Sequence, residues 1–270
     1  MPSSRSSPTV AFLPPPGPAA QDFRTLPTGQ VKYSPSSTAD RAPPRLFRDA
    51  LSIRAAVFVL EQHCSGAEEV DADDGVSWHW VIFAEMPNEG HQASRGDGES
   101  GSDVDDDSIV GEGKKTPGSD RPAEDSGEEE DTISGERPAA TIRLVPAQAH
   151  ADADDEKAVE GPDYKGSRVW DHSEPYVKLG RLATVAACRG RGYGKMLVDT
   201  ALGFARKNRG KVVRDRGLGE WKGLVLVHAQ KRVEGWYKSL GFELDEGMGW
   251  WWEEGIEHVA MWKRVEELGE

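Results

Sequence analysis

A chain of 270 residues could fill one large domain or two small ones, yet only 37% of this one is hydrophobic and its formal charge is −14. The charge is concentrated: residues 91–136 hold 15 Asp/Glu against 4 Lys/Arg and no aromatic residue, which leaves about −3 for everything else. No apolar run approaches the roughly 20 residues of a membrane span. The two cysteines, Cys64 and Cys188, have neither pair-motif nor metal-ligand spacing, so no disulfide framework, metal site or membrane partner is expected, and the reducing cytoplasm, with the nucleus also open, is the expected location.

In chain order, residues 1–43 read as a disordered Pro/Ser-rich tail. Its start lacks acids until Asp22, but "LPPPGP" breaks the amphipathic helix that a transit peptide needs. Residues 44–62 carry Leu46, Ala50, Ile53, Val57 and Leu60 at helical spacing. "SWHWVIFAEM" (77–86) and "AATIRLVPA" (139–147) read as strands, and residues 91–136 between them as a disordered acidic insert that overgrows a hairpin loop. "YVKLGRLATVAA" (176–187) is a further strand, followed by the glycine loop "CRGRGYGKMLV" (188–198) and a helix with Met196, Leu197, Ala201, Phe204 and Ala205 on one face. A strand at 223–230, a helix at 231–242 and a Trp-rich stretch with two short strands complete the chain. The pattern predicts a single α/β domain over residues 44–270, built on a mixed sheet flanked by helices. Residues 148–174 and the Trp250-Trp251-Trp252 run fit no motif.

The glycine loop carries the chemistry. A Walker loop would need Gly at 189 and Ser or Thr at 196, where this chain has Arg189 and Met196, and a dinucleotide fingerprint from Gly190 would need Gly at 195, which is Lys. Backbone amides bared by glycine at a helix N-terminus, flanked by guanidinium groups, suit a pyrophosphate. A nucleic-acid-binding RGG tract would be repeated; this loop is a single copy between a strand and an amphipathic helix, so no nucleic-acid partner is expected.

Arg189-x-x-Gly192-x-Gly194 resembles the acetyl-CoA loop of the GCN5-related N-acetyltransferase (GNAT) superfamily. "WYKSLGF" (236–242) resembles that family's later aromatic segment, while "RAAVFVLEQHCSGAEEVDADD" and "EEGIEHVAM" resemble its ElaA/YjcF-like branch. The resemblance spans about residues 44–265 and implies a splayed sheet with the pantetheine arm of acetyl-CoA between two strands. It implies cofactor contacts at Leu182, Ala183, Thr184, Arg189, Gly190, Arg191, Gly192, Tyr193, Gly194 and Lys195, and Tyr237 as proton donor to the departing thiolate.

Many relatives place a Glu on the splayed strand, where this chain offers Lys178 and Arg181. That departure leaves Glu61, His228 and His258 as candidate bases. Burial in its apolar helix would raise the Glu61 carboxyl toward a useful pKa, a surface helix-end charge being the alternative. Glu69, Asp71 and Asp74 lie in an acidic loop where the family shapes its acceptor site, and carboxylates there would attract an ammonium group. The expected activity is acetyl transfer from acetyl-CoA to a primary amine, first a small amine or an amino sugar such as glucosamine. A protein lysine or N-terminal amine is the rival acceptor, and a non-catalytic acetyl-CoA module the rival class. Loop length costs little, so deleting residues 92–135 and closing the hairpin should leave turnover near wild type. A fall in Tm beyond about 8 °C, over 2 kcal/mol for a domain of this size, would show that the insert packs.

Overall fold

The computed structural model describes residues 7–35, 44–87, 135–148, 162–213 and 216–266. The elements are β1 (Thr9–Leu13), β2 (Phe23–Thr25), β3 (Val31–Tyr33), α1 (Arg45–Arg54), β4 (Trp78–Glu85), β5 (Glu136–Gln148), β6 (Tyr176–Thr184), α2 (Tyr193–Lys207), α3 (Arg209–Val212), β7 (Leu224–Gln230), α4 (Glu234–Ser239), β8 (Glu243–Leu244), β9 (Trp250–Glu253) and β10 (Ile256–Arg264). One mixed sheet runs β1-β4-β5-β6-β7-β10-β8, with β9 also on β10, and β2 and β3 form a separate hairpin. No helix among the described residues is long and apolar enough to cross a membrane.

Strand alternation assigns the two faces. Trp80 and Ile82 of β4, Ile142 and Leu144 of β5 and Val225 and Val227 of β7 pack with Leu197, Val198 and Ala201 of α2. The intervening residues Val81 and Ala183 face the other way, onto Ala50 and Ile53 of α1 and Val57 just beyond it. The helix expected over 44–62 changes character at Ala55, and Ala55–Glu61 form a wider π-helical turn. There the Gln62 N–H donates to the Val57 carbonyl five residues back.

Two sequence expectations change. Residues 7–35 of the supposed tail are folded: β1 pairs along β4 from Thr9↔Phe83 to Leu13↔His79. Phe12 packs against Trp80 and Phe204, both at 5.3 Å between ring centroids, and Phe23 is buried between Tyr33 and Phe47. The prolines misled because they punctuate short elements instead of interrupting long ones. The insert also ends earlier than residue 136, since Glu136 already pairs with Glu85 in an antiparallel β4–β5 ladder. The remainder of that segment, 91–134, lies outside the described residues.

The site depends on β6. It runs parallel to β7 over three pairs only, Val177↔Val225, Lys178↔Leu226 and Leu179↔Val227. Past Leu179 it stays with β5, while β7 stays with β10. Just beyond that point the β5–β6 register slips: Arg143 pairs with Gly180 but Thr141 with Ala183, so β6 carries an extra residue. Arg181 in this bulge has φ +52°, a left-handed conformation that costs a non-glycine residue about 1–2 kcal/mol.

Because Phe23 belongs to a core, Phe23→Ala should destabilise the protein by about 3–5 kcal/mol in urea unfolding; a loss below about 1 kcal/mol would return residues 7–35 to the status of a tail.

Candidate active site

A cavity of about 500 Å3 opens where β6 and β7 part. Leu182, Ala183 and Thr184 of β6 form one wall, and Val233, Trp236 and Tyr237 approach from the α4 side. Lys178, His228 and His258 line it from the strands on the α1 side, with Glu61 and Gln62 from the end of the π-helical turn. The lining therefore comes from both faces of the sheet, as a gap between strands permits.

The glycine loop borders this cavity. Cys188 is buried, its Sγ 3.6 Å from Met86 Sδ, and anchors the loop to the end of β4. Gly190 and Gly192 have φ +76° and +81°, and a Cβ built on either would meet nothing within 4 Å, so the face above the loop is open. Gly192 caps α2 without a side-chain partner, and the Met196 N–H is the first to bond back, to the Gly192 carbonyl. The amides of residues 193–195 therefore head the helix as free donors to an anion. A Cβ on Gly194 would come within 3.3 Å of the Trp236 ring, so glycine there lets α4 pack against the loop. Arg191, Gly192 and Lys195 line a separate surface hollow, which Met196 also borders. The Tyr193 side chain is in the core, leaving its main chain for a ligand.

Glu61 differs from the sequence expectation. Its carboxylate takes two hydrogen bonds from Arg189, at 2.8 and 2.6 Å, and the Arg189 Nε donates to the Thr184 carbonyl. That bonding lowers the Glu61 pKa, the reverse of the rise expected from burial. Arg189 lines the cavity with its guanidinium already tying the loop to the π-helical turn.

Tyr237 is buried, and burial pushes its phenol up, so it keeps its proton at ordinary pH. Trp236 and Phe242 pack edge-on against its ring at 4.8 and 5.4 Å. The His228 Nε2 is 3.0 Å from the Tyr164 hydroxyl. Burial, with Lys178 and His258 nearby, pushes the His228 pKa well below its ordinary value, so the ring is neutral. The His258 Nδ1 lies 2.9 Å from the Ile256 carbonyl, an acceptor only, so Nδ1 carries the hydrogen. Trp251 separates the two histidines, edge-on to His228 and stacked on His258.

The acidic loop is largely neutralised. Asp74 is fully buried, takes hydrogen bonds from Arg54 at 2.8 and 3.2 Å and from Arg143 at 2.8 Å, and does not line the cavity. Asp74 therefore does not face the cavity as an acceptor contact, contrary to the sequence expectation. Glu69 and Asp71 reach the cavity wall but are engaged, Glu69 by Arg54 and Asp71 by Arg143 and Arg181. Burial alone would raise the Asp74 carboxyl; Arg54 and Arg143 more than reverse this and hold it well below the usual carboxylate range. Glu68 and Glu253, both exposed, are left at the rim. Among the described residues no group of three or more His, Cys, Asp and Glu is placed to hold a metal.

Tyr164, Trp251, Gln62 and Gln230 carried no sequence signal as site residues. The last two meet across the cavity in a 2.7 Å hydrogen bond.

A mixed sheet thus opens between two parallel strands, with an uncapped, glycine-bared helix start after the first of them. Residues 151–244 match the acetyltransferase (GNAT) domain family. This segment supplies β6, the glycine loop, α2, β7 and α4. Over that segment, about a third of its length, the chain is similar to acetyltransferase (GNAT) domains. Similar solved structures include an acyl-CoA N-acyltransferase from Pseudomonas aeruginosa, 20% identical over 83% of this chain and 93% of the other, with a TM-score of 0.41. They also include Escherichia coli ElaA, 16% identical over 95% and 100% of the two chains with a TM-score of 0.43. FeeM, an N-acyl amino acid synthase from uncultured soil microbes, is 10% identical over 96% and 92%, with a TM-score of 0.46.

The buried ion cluster sets a stability test. Arg54→Met takes the guanidinium from buried Glu69 and leaves buried Asp74 with Arg143 alone, and should cost about 3–5 kcal/mol. Asp71 and Asp74 have depressed pKa values when folded, so unfolding takes up protons. Their stabilisation is complete above the unfolded value of about 3.9 and is lost as pH falls through the folded values. Urea midpoints between pH 3 and 6 measured on wild type and Asp74→Asn check this; an equal slope in both would remove Asp74 as its source.

Proposed function

We propose that this protein transfers the acetyl group of acetyl-CoA to the primary amine of a small molecule, an amino sugar such as glucosamine first among them, by direct attack in a ternary complex. One observation supports the reading: Leu182–Thr184 of β6, Tyr237 and His258 all line a single cavity of about 500 Å3. That volume lies in the range of about 300–1,000 Å3 typical of small-molecule sites, whereas a protein lysine would call for an open groove.

In this reading, the main chain of Leu182 and Thr184 receives the extended pantetheine arm by strand-like pairing. The amides and basic side chains over residues 189–195 receive its pyrophosphate. The amine nitrogen attacks the thioester carbonyl carbon, and the Leu182 N–H stabilises the oxyanion that forms. Collapse re-forms the carbonyl and breaks the carbon–sulfur bond. Tyr237, kept protonated by burial, offers its O–H to the departing thiolate. His258 takes the proton from the amine: its Nδ1–H is committed to the Ile256 carbonyl, which leaves Nε2 as the acceptor. His228 is neutral but turns its Nε2 to Tyr164. Attraction of the ammonium group falls to Glu68 and Glu253 at the rim, because the loop carboxylates behind them are paired.

A thiol-release assay over a panel of amines tests the function, and activity confined to peptide substrates would overturn the small-amine reading. Tyr237→Phe keeps the packing while deleting the proton, and should lower kcat by roughly 10²-fold with the Kd for acetyl-CoA nearly unchanged. His258→Gln should lower kcat by a similar factor. Full activity in His258→Gln together with loss in His228→Gln would transfer the base role to His228.

A further inference from the structure

The left-handed turn in β6 falls on an arginine, although Gly180, the residue type at ease there, is its immediate neighbour. Such a conformation persists only where the surroundings over-determine it. What holds it is the Arg181 side chain. Its Nη2 donates to the Glu68 carbonyl at 3.1 Å and to Asp71 Oδ2 at 3.0 Å, and its Nη1 lies 3.6 Å from Glu69 Oε1. All three acceptors belong to one short stretch of loop. That loop is itself fixed, Glu69 by the buried Arg54 and Asp71 by the buried Arg143. The bulge is therefore clamped, by a side chain it carries, to a loop that Arg54 of α1 and Arg143 of the neighbouring strand β5 hold in place.

We propose that Arg181 is a positioning residue: by clamping the β6 bulge to the loop at residues 68–71, it aims the Leu182 N–H into the gap where the acetyl carbonyl would lie. The inference rests on the acetyl-transfer reading of the cavity. Leu182 follows Arg181 directly, and both face the single β5 residue Ile142, between the Arg143↔Gly180 and Thr141↔Ala183 pairs. Since Leu179 is the last residue of β6 paired with β7, the bulge sits where the strand turns away from its neighbour. A bulge re-aims the groups next to it. Releasing the clamp would let β6 straighten and swing the Leu182 amide out of line, while the pyrophosphate loop at the far end of the strand is left untouched.

Arg181→Gly is the deciding variant, because glycine accepts φ +52° without strain and so removes the clamp without penalising the bulge. Amide spectra of 15N-labelled protein should show the Leu182 resonance displaced and its backbone more mobile, with Tm equal to or above wild type. On an amine substrate, kcat should fall roughly 10²-fold, as for a reacting group misplaced by about 1 Å, with the Kd for acetyl-CoA within about twofold. Arg181→Lys keeps the charge but has one donor nitrogen on a shorter side chain in place of the fork that faces Glu69 as well as the Glu68 carbonyl and Asp71, and should recover only part of kcat. An unmoved Leu182 amide in Arg181→Gly, or wild-type kcat in that variant, would overturn the proposal. So would a raised KM for the amine at unchanged kcat, which would make Arg181 a direct acceptor contact. A wild-type protein that acetylates no amine in the panel would remove the transferase reading, and the Leu182 resonance would then decide the clamp by itself.

Discussion

The whole arrangement depends on a ladder that stops after three residues. Adjacent strands normally satisfy each other's main-chain groups along their length, yet β6 and β7 pair only from Val177 to Leu179. Beyond that point each strand keeps its outer neighbour, so the sheet stays whole while its centre opens. The gap does not divide the core: Val177, Leu179, Val225, Val227 and Tyr237 belong to one buried cluster beneath it. An extended ligand can therefore enter between the strands without displacing a hydrophobic contact, and it meets groups from both faces of the sheet.

On the α1 side, rigidity is electrostatic. Arg54 and Arg143 are almost fully buried, and so are Glu69 and Asp74. Burying ions is expensive, and it is tolerated where every charge has partners with good geometry. Here the partners come from a helix, two strands and a loop, so the cluster ties four separate stretches of chain into one unit. The Asp74 carbonyl also engages His79, whose pKa burial lowers to about 4, so that ring adds no further charge to the cluster. One wall of the cavity is thereby fixed by charge pairing.

What was legible in the sequence was local. The β4–β5 hairpin, the strand, glycine loop and helix of β6–α2, and the β7 strand all follow from residue periodicity and glycine placement over windows shorter than about 20 residues. The pairing of charges was not legible, because it is settled over long separations: Asp74 finds Arg54 and Arg143, 20 and 69 residues away, and Glu61 finds Arg189, 128 residues away. A carboxylate in a helix looks the same in sequence whether it ends in water or against a guanidinium, and the two outcomes move its pKa in opposite directions. Tyr164 was hidden for a related reason. Its short turn at Tyr164–Gly166 has no period to read, and only the folded chain brings its hydroxyl to His228. The segment before α1 was misread from composition, since proline density separates strands as readily as it marks disorder.

The π-helical turn at Ala55–Glu61 has a consequence for how this protein can vary. Each residue of a helix rotates the chain by about 100°, and the wide turn absorbs one residue more than an α-helix of the same rise would. Everything that follows is phased by that surplus: Glu61 toward Arg189, Gln62 toward Gln230 and the start of the acidic loop. Substitutions along Ala55–Glu61 that preserve size leave this phase intact. Losing one residue would let the turn relax to an ordinary helix and rotate both contacts off the cavity, so length is more tightly constrained here than residue identity.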